Sequence, residues 1–213
     1  MSAPAGAKAW NDRWARPLTR NIVAHGDSIS LTSGCNKTYL PRLPALLTGN
    51  TRWIRCGANG HSWAYAWPSS GYAYTMMQDA PLRVDPQRIS VPNWLIAFAG
   101  TNGIILGGHS AATEAADAAT YLDARIAAGW DATKIVVCTM LPRTGDNDAT
   151  RAAYNTALVS AANARGCKLA RLDLDATIGP DGADTNLTYF SDGTHPTDAG
   201  HAIIATLIAA QIS

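Results

Sequence analysis

The run at residues 93–99, Asn-Trp-Leu-Ile-Ala-Phe-Ala, constrains this chain more than any other stretch. It is nearly continuously apolar, with no polar alternation. Such a run suits a strand covered on both faces, as in a parallel sheet flanked by helices. It stops abruptly at Gly100-Thr101-Asn102-Gly103. Similar strand-like runs occupy residues 21–24, 51–56, 134–140 and 169–174. Helical patterns separate them: 38–47 despite Pro41 and Pro44, 76–82, the Ala-rich 111–128 closed by Gly129, 146–165 closed by Gly166, and 196–212 with Pro196 in its first turn. About five alternations of strand and helix predict an α/β domain with a parallel sheet and helices on both faces.

Composition agrees with one domain and excludes several functions. A chain of 213 residues can bury a sizeable core. No linker or repeat divides it, and residues 1–20 read as an N-terminal extension packing on the domain. Hydrophobic residues make up 47% and charged residues 15%, so the chain is not disordered. Its net charge is +1, with no clustered basic face to bind nucleic acid. No apolar stretch reaches the roughly 20 residues of a membrane span. The start of the chain carries Trp10 and Trp14 but no apolar leader core, which fits either a cytoplasmic protein or an exported one whose leader is gone. The four cysteines match no zinc spacing. Cys138 reads as a buried thiol. Cys35 and Cys56 follow two neighbouring strands, which puts a disulfide between them within reach. Nothing in the sequence reports an oligomeric state.

Ligands of doubly wound sheets bind beyond the carboxyl ends of the strands. At that edge the first strand delivers Gly26-Asp27-Ser28, the second Gly57 to Gly60, and the third Asn102. The loop before the last helix adds Asp192-Gly193-Thr194-His195. A serine hydroxyl needs a base to become a nucleophile. An imidazole, with an ordinary pKa of about 6.5, can take its proton near neutrality. A carboxylate on the other ring nitrogen fixes the tautomer. Backbone N–H groups at glycines and an asparagine amide can hold an oxyanion.

These blocks resemble those of the SGNH hydrolase superfamily, the Gly-Asp-Ser-Leu-type esterases and lipases. Gly26-Asp27-Ser28-Ile29 matches the first block, with isoleucine for leucine. Gly60 best matches the glycine of the second, with Gly57 competing. Gly100-Thr101-Asn102-Gly103 matches the third, usually Gly-x-Asn-Asp, but has glycine for the aspartate. Asp192-Gly193-Thr194-His195 matches the last. The resemblance implies a flavodoxin-like three-layer α/β/α sandwich with a five-stranded parallel sheet in order 2-1-3-4-5. It implies Ser28 as nucleophile, His195 as base and Asp192 as the group orienting it. The Ser28 and Gly60 backbone N–H groups and the Asn102 amide become the oxyanion hole. No metal or organic cofactor is implied.

Each residue also has a plainer reading. Ser28 could be a turn serine, Asp192 the former of an Asp-Gly turn, His195 a surface histidine and Asn102 a turn former. Four blocks in order at strand ends weigh against these. The substrate contacts expected at this edge are Asp27, His61, Trp63, Trp67 and His109, although Asp27 also suits a loop-organising role and the aromatic stretch from Trp63 to Tyr74 also suits packing. His25 and His201 read as core residues. The expected substrate is a short acyl ester, acetyl above all, on a small molecule or glycan. Lysophospholipase, thioesterase or acyltransferase chemistry would use the same residues. A catalytically silent carbohydrate-binding module is the rival of another class.

Overall fold

A computed structural model describes residues 17–65, 75–145 and 148–212. Trp10, Trp14, Trp67, Tyr72 and Tyr74 lie outside the described residues. Five strands form one sheet: β1 (Arg20–Gly26), β2 (Thr51–Arg55), β3 (Asn93–Phe98), β4 (Ile135–Cys138) and β5 (Lys168–Ala170). Their order is β2-β1-β3-β4-β5, and every pairing is parallel. The expected fold class and strand order are therefore the observed ones.

The period of two along the central strands sorts the core into two layers. Val23, Leu95, Ala97, Ile135 and Val137 face one side. There they meet α2 (Met76–Arg83), α4 (Ala111–Ala127) and α5 (Asp148–Ala164) through Met76, Ala80, Tyr121, Leu122, Tyr154 and Leu158. Ile22, Ala24, Ile96, Phe98, Val136 and Cys138 face the other side. They meet α1 (Leu43–Leu46) and α6 (Asp198–Ala209) through Leu43, Ile204, Ala205 and Ile208. Both faces of β3 and β4 are covered, which is why these strands lack polar alternation.

Caps set the helix limits. Ser110 accepts a hydrogen bond from the Thr113 N–H at the start of α4. Thr75 and Gln78 form a reciprocal capping box at α2. Several elements differ from the sequence-based expectation. The 38–47 segment is a 3-10 turn, Leu40–Arg42, and a one-turn helix, because Pro41 and Pro44 occupy first-turn positions where no N–H is needed. The last helix begins at Asp198, with Thr197 as its cap. Pro196 is therefore outside the helix, in an isolated bridge to Phe190. The fifth strand stops at Ala170, and Leu172–Leu174 is a 3-10 turn in which the Asp173 N–H donates to Thr139 Oγ1. A short helix not expected from the sequence, α3 (Thr101–Ile105), follows β3 directly.

No disulfide joins Cys35 to Cys56, and both are free thiols. Cys56 is buried and its thiol donates to the Arg83 carbonyl, 3.2 Å away, so its side chain turns toward α2. Among the described residues no helix is long and apolar enough to cross a membrane.

Candidate active site

The sheet's first strand ends in a turn that only glycine can enter. A Cβ on Gly26 would lie 2.5 Å from the Phe98 carbonyl oxygen and closer still to Ser30 Oγ. The buried Asp27 carboxylate then accepts a hydrogen bond from the Ile29 N–H at 2.9 Å and caps the 3-10 turn Ser28–Ser30. Ser28 is thereby fixed at the head of that turn, half-buried and facing the carboxyl edge. Burial pushes the Asp27 carboxyl up to about 6, against the Ile29 N–H and the nearby His195, which pull it down.

The other half of the pair arrives 167 residues later. Asp192 Oδ1 accepts from the Thr194 and His195 backbone N–H groups at 3.0 and 2.8 Å. This closes a tight Asp-Gly turn, with Gly193 at φ 73°. Asp192 Oδ2 lies 2.8 Å from His195 Nδ1. His195 Nε2 lies 2.9 Å from Ser28 Oγ. Burial raises the Asp192 carboxyl, but hydrogen bonds from the His195 backbone and ring, the His195 charge and the Thr194 N–H outweigh it, and the net shift is downward. The carboxylate, imidazole and hydroxyl thus form one continuous hydrogen-bonded chain.

The loop after β2 packs beside this turn. The Ala58 N–H donates to the Gly26 carbonyl at 3.0 Å. Gly57 presses on the same backbone, since a Cβ there would lie 2.7 Å from Gly26 O. Its lack of a side chain serves packing. Gly60 instead sits in an outward turn at φ 74°. Asn102, in the first turn of α3, donates through Nδ2 to the His61 carbonyl at 2.9 Å. The structure therefore brings Ser28, Asp192 and His195 into direct contact, and ties the Gly60 loop to Asn102 beside them.

The expected substrate contacts fare differently. Asp27, His61 and Trp63 are 1%, 1% and 0% exposed, so none of their side chains lines an open surface. Asp27 is the turn cap. Trp63 is a core residue whose Nε1–H donates to Tyr154 Oη at 2.9 Å, and Tyr154 in turn donates to the Ala99 carbonyl at the end of β3. His61 packs edge-on against His25. Trp67 lies outside the described residues. His109 is half-buried beside Tyr65 and Glu114.

Two clusters were not legible in the sequence. Behind β1, His25 lies 2.8 Å from Tyr121 Oη and 3.4 Å from Asp79, which also pairs with Arg83. Burial, and then the His25 charge, push His61 down to about 4. Beside α3, the fully buried Glu114 lies 3.0 Å from His109 Nδ1. The only signals were the i,i+4 spacing of Asp79 and Arg83, and an acidic residue in the first turn of α4. The donor atoms of His25, His61 and Asp79, and those of His109, Glu114 and Asp117, lie within 4.8 Å of one another. These are the described groups that could hold a metal ion; the His25–Asp79 and His109–Glu114 contacts above already hold two members of each together.

Solved structures share the fold at low identity. The lipase/acylhydrolase from Enterococcus faecalis is 19% identical with a TM-score of 0.66, covering 91% of this chain and 95% of its own. TesA is 16% identical with a TM-score of 0.69, over 91% and 98%. Axe2, an acetylxylan esterase from Geobacillus stearothermophilus, is 15% identical with a TM-score of 0.64, over 92% and 95%. No curated protein matches the sequence. The family comparison is more direct, because it spans residues 24–203, from the end of β1 through the first half of α6. By that match the chain belongs to the GDSL-like lipase/acylhydrolase family.

Proposed function

We propose that the protein is a serine esterase that cleaves short acyl esters, acetyl groups on carbohydrate above all, through an acyl-serine intermediate. The observation carrying this is the hydrogen-bonded chain Asp192–His195–Ser28, at 2.8 and 2.9 Å. His195 Nε2 takes the Ser28 proton as Oγ attacks the ester carbonyl carbon. The Ser28 and Gly60 backbone N–H groups and the second N–H of the Asn102 amide receive the oxyanion. His195 then gives its proton to the departing alcohol. A water molecule, deprotonated by the same nitrogen, releases the acid and restores Ser28. Asp192 stays ionised throughout and stabilises the imidazolium.

One observation supports a small acyl group. A structural neighbour is described as an acetylxylan esterase. Wild type and Ser28→Ala are to be compared on p-nitrophenyl esters of rising chain length and on acetylated xylo-oligosaccharides. Ser28→Ala is expected to lose turnover by at least about 10⁴-fold, with wild type fastest on acetyl. Full activity in Ser28→Ala overturns the mechanism, and preference for long chains overturns the substrate. Transfer of the acyl group to an added alcohol instead of water marks an acyltransferase.

A further inference from the structure

The third sequence block carries glycine at position 103, where the resembled pattern Gly-x-Asn-Asp has aspartate. A Cβ built on Gly103 would fall inside the Glu114 carboxyl group, whose two oxygens and Cδ are its three nearest atoms. The space of an aspartate side chain at 103 is thus already filled by a carboxyl. It arrives from the first turn of α4 instead of from α3 itself.

Glu114 is wholly buried, a rare place for an acid without a specific role. Burial, with Asp117 nearby, pushes it up to about 8, opposed by a hydrogen bond from the Trp63 backbone N–H. Its Oε2 lies 3.0 Å from His109 Nδ1. The His109 backbone N–H donates to the Gly103 carbonyl at 2.9 Å. One carboxyl therefore touches both segments that carry the oxyanion donors. Through Trp63 it reaches the loop holding Gly60. Through His109 and the bare face of Gly103 it reaches the turn holding Asn102. A further tie between these segments is the Asn102–His61 bond.

We infer that Glu114 is a positioning residue, supplying from α4 the carboxyl that position 103 lacks and holding the Gly60 and Asn102 donors at a fixed separation. Two carboxyls cannot share this volume, since their atoms would overlap. Glycine at 103 and glutamate at 114 are accordingly a complementary pair. The catalytic part of the inference rests on the acyl-serine reading; the packing part does not.

The test is a cycle of Glu114→Ala, Gly103→Asp and the double variant, with two readouts. One is the rate at which a fluorophosphonate labels Ser28, where Oγ bonds phosphorus, fluoride leaves and His195 takes the proton. The other is hydrogen exchange at the Trp63 amide. Glu114→Ala is expected to slow labelling by about 100-fold, the scale of a small misplacement of catalytic groups, and to speed Trp63 exchange. Gly103→Asp alone also slows labelling. The double variant returns the rate to within about tenfold of wild type and recovers Trp63 protection. Wild-type labelling by Glu114→Ala, or a double variant no faster than Glu114→Ala, overturns the inference. If Glu114→Ala does not fold, a folded double variant supports the inference and an unfolded one overturns it. An unlabelled wild type instead defeats the acyl-serine reading. Trp63 exchange then decides for Glu114: protection lost in Glu114→Ala and recovered in the double variant supports it, and unchanged protection overturns it.

Discussion

Asp192 binds two backbone N–H groups through one oxygen and an imidazole through the other. Those bonds hold its carboxyl below the ordinary range despite partial burial. It stays ionised through the pH range where imidazoles titrate. Proton uptake by Asp192 is therefore not what limits activity in acid. We expect kcat/KM to fall about tenfold per pH unit on the acid side, and a slope of two there would contradict a single base. Asp192→Asn should lower kcat by about 10²–10⁴-fold, because an amide can present an N–H to Nδ1 and stabilise the wrong tautomer. Asp27 titrates in the opposite sense. Its folded-state pKa is raised from 3.8 to about 6 by burial, so the folded protein holds this proton to higher pH than the unfolded chain. Its contribution to stability falls as pH rises through that window and is level above it. Asp27→Asn keeps an oxygen for the Ile29 N–H and removes the buried charge. In urea titrations it should match or exceed wild type at pH 7, by at most about 3 kcal/mol, with the gap closing towards pH 4. A variant that is weaker at pH 7 than at pH 4, relative to wild type, would refute this.

Elements were legible where punctuation was local. Ser110 and Gly129 bound α4, and Gly166 follows α5, so their expected limits lie within a few residues of the observed ones. The failures were local contests won by tertiary contacts. The Leu172–Leu174 turn exists because Thr139 takes the Asp173 N–H and hydroxyl–carboxylate contacts replace a strand ladder. The five-residue α3 is too short to leave a periodic trace, yet it aims Asn102. Helix α5 is tied to the end of β4 by Asn155, whose Oδ1 accepts the Met140 N–H at 2.8 Å and whose Nδ2 donates to the Met140 carbonyl at 3.0 Å. Asn155→Leu strands both buried backbone groups. Chemical denaturation should show a loss of about 2–4 kcal/mol, and a loss below about 0.5 kcal/mol would mean that this clamp is not what docks the helix.

At the scale of the molecule, the two core layers share one sheet. Val136 and Val137 are neighbours in β4 but point into opposite layers. Truncating either to alanine should cost about 2 kcal/mol and shift one common transition, since neither layer has strands of its own. Far- and near-ultraviolet circular dichroism melting curves that separate in either variant would show that the layers unfold independently. By itself the sequence determined the alternation of strands and helices, the sheet edge where the polar blocks gather, and the residue types able to perform serine chemistry. These follow from short-range causes: hydrophobic period, glycine turns, and the spacing of Asp192 from His195. Tertiary structure alone decided what each side chain faces. It buried Trp63 and His61 behind the edge they were expected to line, kept Cys35 and Cys56 apart, and set Glu114 against Gly103. Those outcomes depend on which helix covers which face of the sheet, and contacts made across many tens of residues leave no period in the chain to read.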